Sequence, residues 1–186
     1  SLEGKLLWKF TAGDSIGCRP DIEEGRIFFG CKDGNLYCLS LTGQLLWKIR
    51  TTGPISDDPL SYDGYVYFTS EEQNIYCANA KTGKINWKFP TKGPIVFERP
   101  VICKGSVYFG STDKNIYALD ARTGKMLWNF PLQGHPRSAC TDGRQLYVFC
   151  RDYNIYTLTL DGKLRWRFRG DHFWIREGIV HDGILY

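Results

Sequence analysis

Ser106 to Trp128 reads S-V-Y-F-G-S-T-D-K-N-I-Y-A-L-D-A-R-T-G-K-M-L-W. Two runs rich in Val, Ile, Tyr and Phe flank the polar turn Thr112, Asp113, Lys114. A second turn, Ala121 to Gly124, leads into a third run that carries the tryptophan. Upstream, F-E-R-P-V-I-C from Phe97 adds one more run, closed by a turn at Lys104 and Gly105. Four runs of β-branched and aromatic residues between Gly, Asp and Asn clusters predict a four-stranded antiparallel meander.

The unit recurs. Trp8, Trp47, Trp87, Trp128 and Trp166 stand roughly 40 residues apart, a spacing that marks one structural unit copied in tandem. Each closes the same phrase: G-K-L-L-W from Gly4, G-Q-L-L-W from Gly43, G-K-I-N-W from Gly83, G-K-M-L-W from Gly124 and G-K-L-R-W from Gly162. The second runs begin at Arg26, Tyr65, Ser106 and Gln145, and the third at Asn35, Asn74, Asn115 and Asn154. Asn at that turn bonds its own backbone and tolerates unusual dihedrals, and the Gly of the third-to-fourth turn takes a positive φ at little cost.

The strands are apolar on both faces. Ile116 and Ala118 point one way, Tyr117 and Leu119 the other, so each sheet is covered on both sides. Sheets that cover one another around an axis make a β-propeller, with a shorter-coiled β-solenoid as the competing repeat architecture. The expected fold is all-β, a β-propeller of four-stranded antiparallel blades. Four whole blades fall near 16–49, 55–89, 95–130 and 137–168, in one segment spanning 1–186. Partial blades flank them: 4–10 as a fourth strand alone, and 173–186 as a first strand and half of a second. This arrangement implies a piece of a longer propeller, or self-association through exposed apolar blade faces. The repeat tryptophans are expected to fill the widening gap between the outer edges of adjacent blades.

Composition narrows the function classes. Aromatic residues make up 15% of the chain, which argues against disorder. The net charge of +4 is mixed along the chain without a like-charge block, so no nucleic-acid footprint is indicated. No apolar stretch has the length of a membrane span. The seven cysteines show no metal-ligand spacing. Cys31 and Cys150 share a repeat column with Ser70 and Ser111, and Cys38 and Cys77 share one with Ala118 and Thr157. These columns call for a small buried side chain, with Cys serving as a small hydrophobe. Structural thiols of this kind favour a reducing, cytoplasmic setting over a periplasmic one, with a disulfide framework as the alternative reading.

The Ser106 to Trp128 stretch and its copies resemble the PQQ-type propeller repeat of quinoprotein alcohol dehydrogenases and their quinone-free relatives. The WD40 repeat fits less well, because Lys, Arg or Asn follows each Trp here. By resemblance, a true quinoprotein stacks its quinone between a Trp and an adjacent Cys–Cys disulfide and holds calcium with acidic and amide side chains. This chain has no adjacent cysteine pair and no evident calcium cluster. The resemblance therefore carries the fold over and leaves the chemistry behind.

Propellers bind partners at the channel mouth and on one rim. Arg19, Asp58, Arg99 and Glu177 start the innermost strands at matching positions, with Arg137 and Arg176 one residue out of register. Such a ring suits an anionic ligand or a peptide carboxylate, or else is a set of paired and solvated channel charges. No catalytic constellation and no metal site emerges, and the interblade connections are short. The expected function is a non-catalytic scaffold that presents its rim loops and channel mouth to a protein or peptide partner, without cofactor. One alternative is a fragment of a PQQ- and calcium-dependent dehydrogenase. Another is a periplasmic outer-membrane assembly lipoprotein of the same propeller type.

Overall fold

The computed structural model describes residues 3–97 and 99–170 and, beyond them, two short strands at 180–181 and 184–185. Every regular element among the described residues is a strand. Blade 1 comprises β1 (Asp21–Glu23), β2 (Arg26–Gly30), β3 (Asn35–Ser40) and β4 (Leu45–Arg50). Blade 2 comprises β5 (Leu60–Tyr62), β6 (Tyr65–Ser70), β7 (Asn74–Asn79) and β8 (Ile85–Pro90). Blade 3 comprises β9 (Val101–Cys103), β10 (Ser106–Gly110), β11 (Asn115–Asp120) and β12 (Met126–Pro131). Blade 4 comprises β13 (Pro136–Thr141), β14 (Gln145–Cys150), β15 (Asn154–Thr159) and β16 (Leu164–Arg169). Each sheet runs in sequence order with antiparallel neighbours, as the meander reading requires. The last pair, β17 (Val180–His181) and β18 (Ile184–Leu185), is antiparallel too.

Burial follows position in the blade. The third strands are buried along nearly their whole length, so both faces of their alternation are packed. The fourth strands form the outer edge and are mostly exposed. The first strands are short in blades 1 to 3 and twice as long in blade 4. Proline accounts for this. Pro20, Pro59 and Pro100 stand immediately before β1, β5 and β9 and have no N–H to give a ladder. Ala139 fills that column in blade 4, and there the ladder runs on to Pro136.

The four turns between second and third strands are built alike. In blade 3, Asp113 accepts the Asn115 N–H at 3.0 Å and the Tyr117 hydroxyl at 2.6 Å. Asp33 with Tyr37 and Asp152 with Tyr156 repeat the geometry at 2.6 and 2.5 Å, and Glu72 receives the Tyr76 hydroxyl in blade 2. The left-handed residue of these turns is Gly34, Gln73, Lys114 or Tyr153, one place before the Asn expected to take that role. The Asn side chain instead donates back across the turn in three blades, to the carbonyls of Glu72, Asp113 and Asp152.

These carboxylates set an acid limit on stability. Burial alone raises the Asp33 pKa, but hydrogen bonds from Tyr37 and Asn35 outweigh it and hold the carboxyl at about 2. Asp113 and Asp152 are lowered by the same balance. A carboxyl whose folded pKa lies below its unfolded value stabilises above the unfolded value, 3.8, and loses that contribution as pH falls through the folded one. The melting temperature is thus expected to drop between about pH 4 and 2. Asp113→Asn is expected to flatten that acid limb in a thermal denaturation series across this range.

The two cysteine columns differ in kind. Cys38, Cys77, Ala118 and Thr157 are wholly buried, as a small apolar column requires. The other column has a polar role that packing alone does not explain. Ser70, Ser111, Cys31 and Cys150 each donate to a carbonyl of the connection entering their blade: Gly53, Gly93, Asp14 and His135. Cys serves there as a weak donor in place of Ser. Within the apolar column, the Thr157 hydroxyl is buried without a partner. Thr157→Val removes that unsatisfied oxygen at nearly constant shape and is expected to raise unfolding free energy by about 1 kcal/mol in a denaturant titration.

The tryptophans bind one blade to the next. Trp8, Trp47, Trp87 and Trp128 donate their indole N–H to Leu41, Ala80, Ala121 and Leu160, at 2.8, 3.2, 2.9 and 2.9 Å. Each acceptor lies in the third-to-fourth turn of the following blade. The indole also lies flat over the Gly of that turn. A Cβ at Gly43, Gly83, Gly124 or Gly162 would meet the Trp8, Trp47, Trp87 or Trp128 ring at 2.5 to 2.8 Å. The Gly and the Trp of one repeat phrase therefore serve opposite neighbours.

Residues 4–10 behave differently from a lone fourth strand. They pair in no ladder among the described residues, yet Trp8 still docks on Gly43. The expected C-terminal partial blade lies largely outside the described residues. Within it, β17 and β18 match a first and second strand.

Candidate channel-mouth binding site

The innermost strands converge their charged residues at one end of the structure. Asp58 accepts from the Arg19 backbone N–H at 2.6 Å and from its Nε at 2.8 Å, joining blades 1 and 2. Asp21 takes both the N–H and the hydroxyl of Ser61 at 2.6 Å on one carboxylate oxygen. Its other oxygen takes the Arg99 guanidinium at 2.7 Å. That pair reaches from blade 3 back to blade 1, so three blades are tied across the inner strands by one network. The acids are sheltered and the guanidiniums face outward: the Arg19 and Arg99 side chains are 68% and 44% exposed, against 13% for Asp58 and 20% for Asp21.

Arg19, Asp58 and Arg99 thus come together as a braced set of cross-blade pairs and not as an open cationic ring. Asp21 and Ser61 complete the set and were not singled out from the sequence. Asp21 opens β1 two residues after Arg19, which precedes the strand, and Ser61 lies within β5. Close by, burial pushes the Glu23 carboxyl up, as do the neighbouring Glu24, Asp21 and Asp63 charges, so the mouth is not uniformly basic.

Arg137 is the extra residue of a β-bulge. Pro136 pairs with Cys150 and Ser138 with Phe149, leaving Arg137 unmatched. This is the physical form of its one-residue offset. With Arg151 and Tyr153 it lines a hollow of about 30 Å³, room for roughly one water and far below a substrate pocket. Arg176 and Glu177 lie outside the described residues.

No two cysteines are adjacent in sequence, and among the described residues no three His, Cys, Asp or Glu side chains converge as a metal would need. No helix among the described residues is long and apolar enough to cross a membrane, which says nothing of β-barrels.

A PQQ-type family model, described as outer membrane protein assembly factor BamB, matches residues 1–136 and again 91–173. No curated protein matches the chain. Among solved structures, BamB from Moraxella catarrhalis is similar at 18% identity and a TM-score of 0.64, over 89% of this chain and 65% of that one. The computationally designed protein Ika8 is similar at 17% identity and a TM-score of 0.82, over 92% of this chain and 54% of that one. The designed protein Ika4 matches at 17% identity and 0.75, over 84% of this chain and 98% of that one. The chain thus spans 65% of the BamB structure and 54% of Ika8. Likeness at such identities speaks for fold, and with the family model it bears out the PQQ-type repeat and the propeller architecture.

Proposed function

The chain belongs to the family of the outer membrane protein assembly factor BamB, and on that premise we propose that it is a non-catalytic propeller that holds a protein partner at its channel mouth during outer-membrane protein assembly. The observation that carries this reading is the Arg19–Asp58 and Arg99–Asp21 network. Half-buried carboxylates hold each guanidinium in place, and the Arg19 and Arg99 side chains remain 68% and 44% exposed. A guanidinium positioned in advance loses little freedom on meeting a partner carboxylate or carbonyl row. The partner is taken to be a protein segment, in keeping with the family description as an outer-membrane protein assembly factor.

The family description supports the extracytoplasmic alternative over the cytoplasmic expectation. The cysteine argument for the cytoplasm is weak in any case. Burial pushes the Cys38 and Cys77 thiols up to about 12, and burial likewise raises Cys140 to about 11 and Cys150 to about 12. Protonated, sheltered thiols are poor nucleophiles and persist in an oxidising compartment.

The test combines stability with contact. Arg19→Ala and Arg99→Ala are expected to cost about 1 kcal/mol or less each, because exposed ion pairs contribute little. A photo-crosslinking residue at position 19 or 99 in producing cells is expected to capture an envelope protein, and one at Leu45 on the outer edge is not. Adducts confined to cytosolic proteins, or equally abundant from Leu45, would refute the assignment.

A further inference from the structure

Blades 2 and 3 each have a whole blade on either side, and their two ends differ in charge. In an antiparallel meander the first-to-second and third-to-fourth turns leave at the same end of the sheet. Here they are clamped together: the Ala80 N–H donates to the Gly64 carbonyl and the Ala121 N–H to the Gly105 carbonyl, both at 2.9 Å. Arg122 reaches Asp63 at 3.2 Å and joins this end of blade 3 to that of blade 2. Lys81, Lys84, Lys104 and Lys125 stand exposed on these turns, and none has an ion-pair partner among the described residues. The other acid there, Asp120, is turned to its own backbone, accepting from the Arg122 and Thr123 N–H groups and the Thr123 hydroxyl. The opposite end of the same blades carries Asp57, Asp58, Glu71, Glu72 and Asp113, which outnumber Lys92, Arg99 and Lys114.

The basic end is also apolar. Each fourth strand leaves its turn on large aliphatic side chains that no neighbouring blade covers. Ile85 follows Lys84, and Met126 and Leu127 follow Lys125, at 41, 45 and 50% exposed. A register shift in blade 3 pairs Trp128 with Ala118 and Met126 with Leu119, so Leu127 is the unmatched residue of a bulge and both aliphatics reach solvent.

We propose that this end of blades 2 and 3 docks on a bilayer surface bearing anionic headgroups. Ile85, Met126 and Leu127 seat in the boundary between headgroups and acyl chains, and the four lysines lie among the headgroups with their stems along the apolar layer. The lysines stand on three separate turns of two blades, a spread that suits a continuous layer of negative charge better than one small anion. A soluble polyanion would be met by the lysines alone and would leave the aliphatic side chains without a role. Arg19 and Asp58 lie at the opposite end of the first strands, so this inference is independent of the channel-mouth reading.

Co-sedimentation with vesicles tests it. The chain is expected to pellet with phosphatidylcholine vesicles containing phosphatidylglycerol, to stay in solution with phosphatidylcholine alone, and to be released by high salt. Lys84→Gln with Lys125→Gln is expected to lower partitioning about 25-fold, from about fivefold per lysine near an anionic surface. Gln44 fills the same place in blade 1, so the change suits the turn. Lys32→Gln with Lys114→Gln makes the same charge change at the opposite end, where Gln73 is the blade 2 equivalent of Lys114, and is expected to leave partitioning unaltered. Ile85→Gln with Leu127→Gln is expected to weaken partitioning severalfold while leaving retention on a heparin column unchanged. Thermal melts near that of the unaltered chain verify folding of each variant. Equal binding to neutral vesicles, no binding to anionic ones, or equal losses from the two lysine pairs would each overturn the proposal. Partitioning indifferent to the Ile85 and Leu127 changes would overturn it too, in favour of a partner read by charge alone.

Discussion

Trp87→Ala is expected to cost about 3–5 kcal/mol of unfolding free energy, the range for removing a buried aromatic side chain. The indole is 9% exposed, packs against Tyr67 at 6.0 Å between ring centroids, covers Gly124 and donates to Ala121 at 2.9 Å. Its loss opens a cavity between blades 2 and 3 and leaves the Ala121 carbonyl to the Tyr67 hydroxyl alone. The same substitution at Trp166, which is 43% exposed and keeps one edge contact with Tyr147, is expected to cost about 1 kcal/mol. Urea titrations of the two variants check the contrast. Equal losses would contradict the assignment of the repeat tryptophan to the following blade.

Gly124→Val is expected to cost about 3 kcal/mol through two additive causes. The residue sits at φ +69°, where a side chain carries roughly 1–2 kcal/mol of strain. A Cβ there would lie 2.6 Å from the Trp87 ring, and overpacking of this kind adds about 1–3 kcal/mol. Gly105, at φ +74° with open space around it, separates the two: Gly105→Val is expected to show the strain without the clash. In a double-mutant cycle, Trp87→Ala with Gly124→Val is expected to fall short of the sum of the single losses, because valine occupies space the indole has left. Strict additivity would mean that the two residues do not share an interface.

Much of the fold was legible in the chain because its signals are local and repeated. Period-two runs around Tyr108 and Tyr117, a Gly before each Trp and polar turns at Asp113 and Asp152 each report on a few neighbouring residues, and repetition averages out the exceptions. The candidate site was only partly legible. Arg19, Arg99 and Asp58 were visible as a phase in the repeat, but which acid meets which base depends on how far the array curves. Arg99 reaches Asp21 across 78 residues of sequence, past a whole blade, and no local pattern encodes that separation. Asn115 and its equivalents were assigned the left-handed position because Asn tolerates it. The turn instead places Lys114 there and uses Asn115 to tie the turn together.

From the sequence alone came the unit, its strand order and the roughly forty-residue period, because alternation, turn chemistry and recurrence are properties of the covalent chain. The tertiary structure alone decided partners. It showed that Gly124 and Trp128, four residues apart in one phrase, face different blades: Gly124 lies under Trp87, and Trp128 covers Gly162. It also showed that Asp21 holds Ser61 and Arg99 at once. Such pairings follow from the twist and rotation between neighbouring sheets, a relation between distant segments that exists only once the blades are packed.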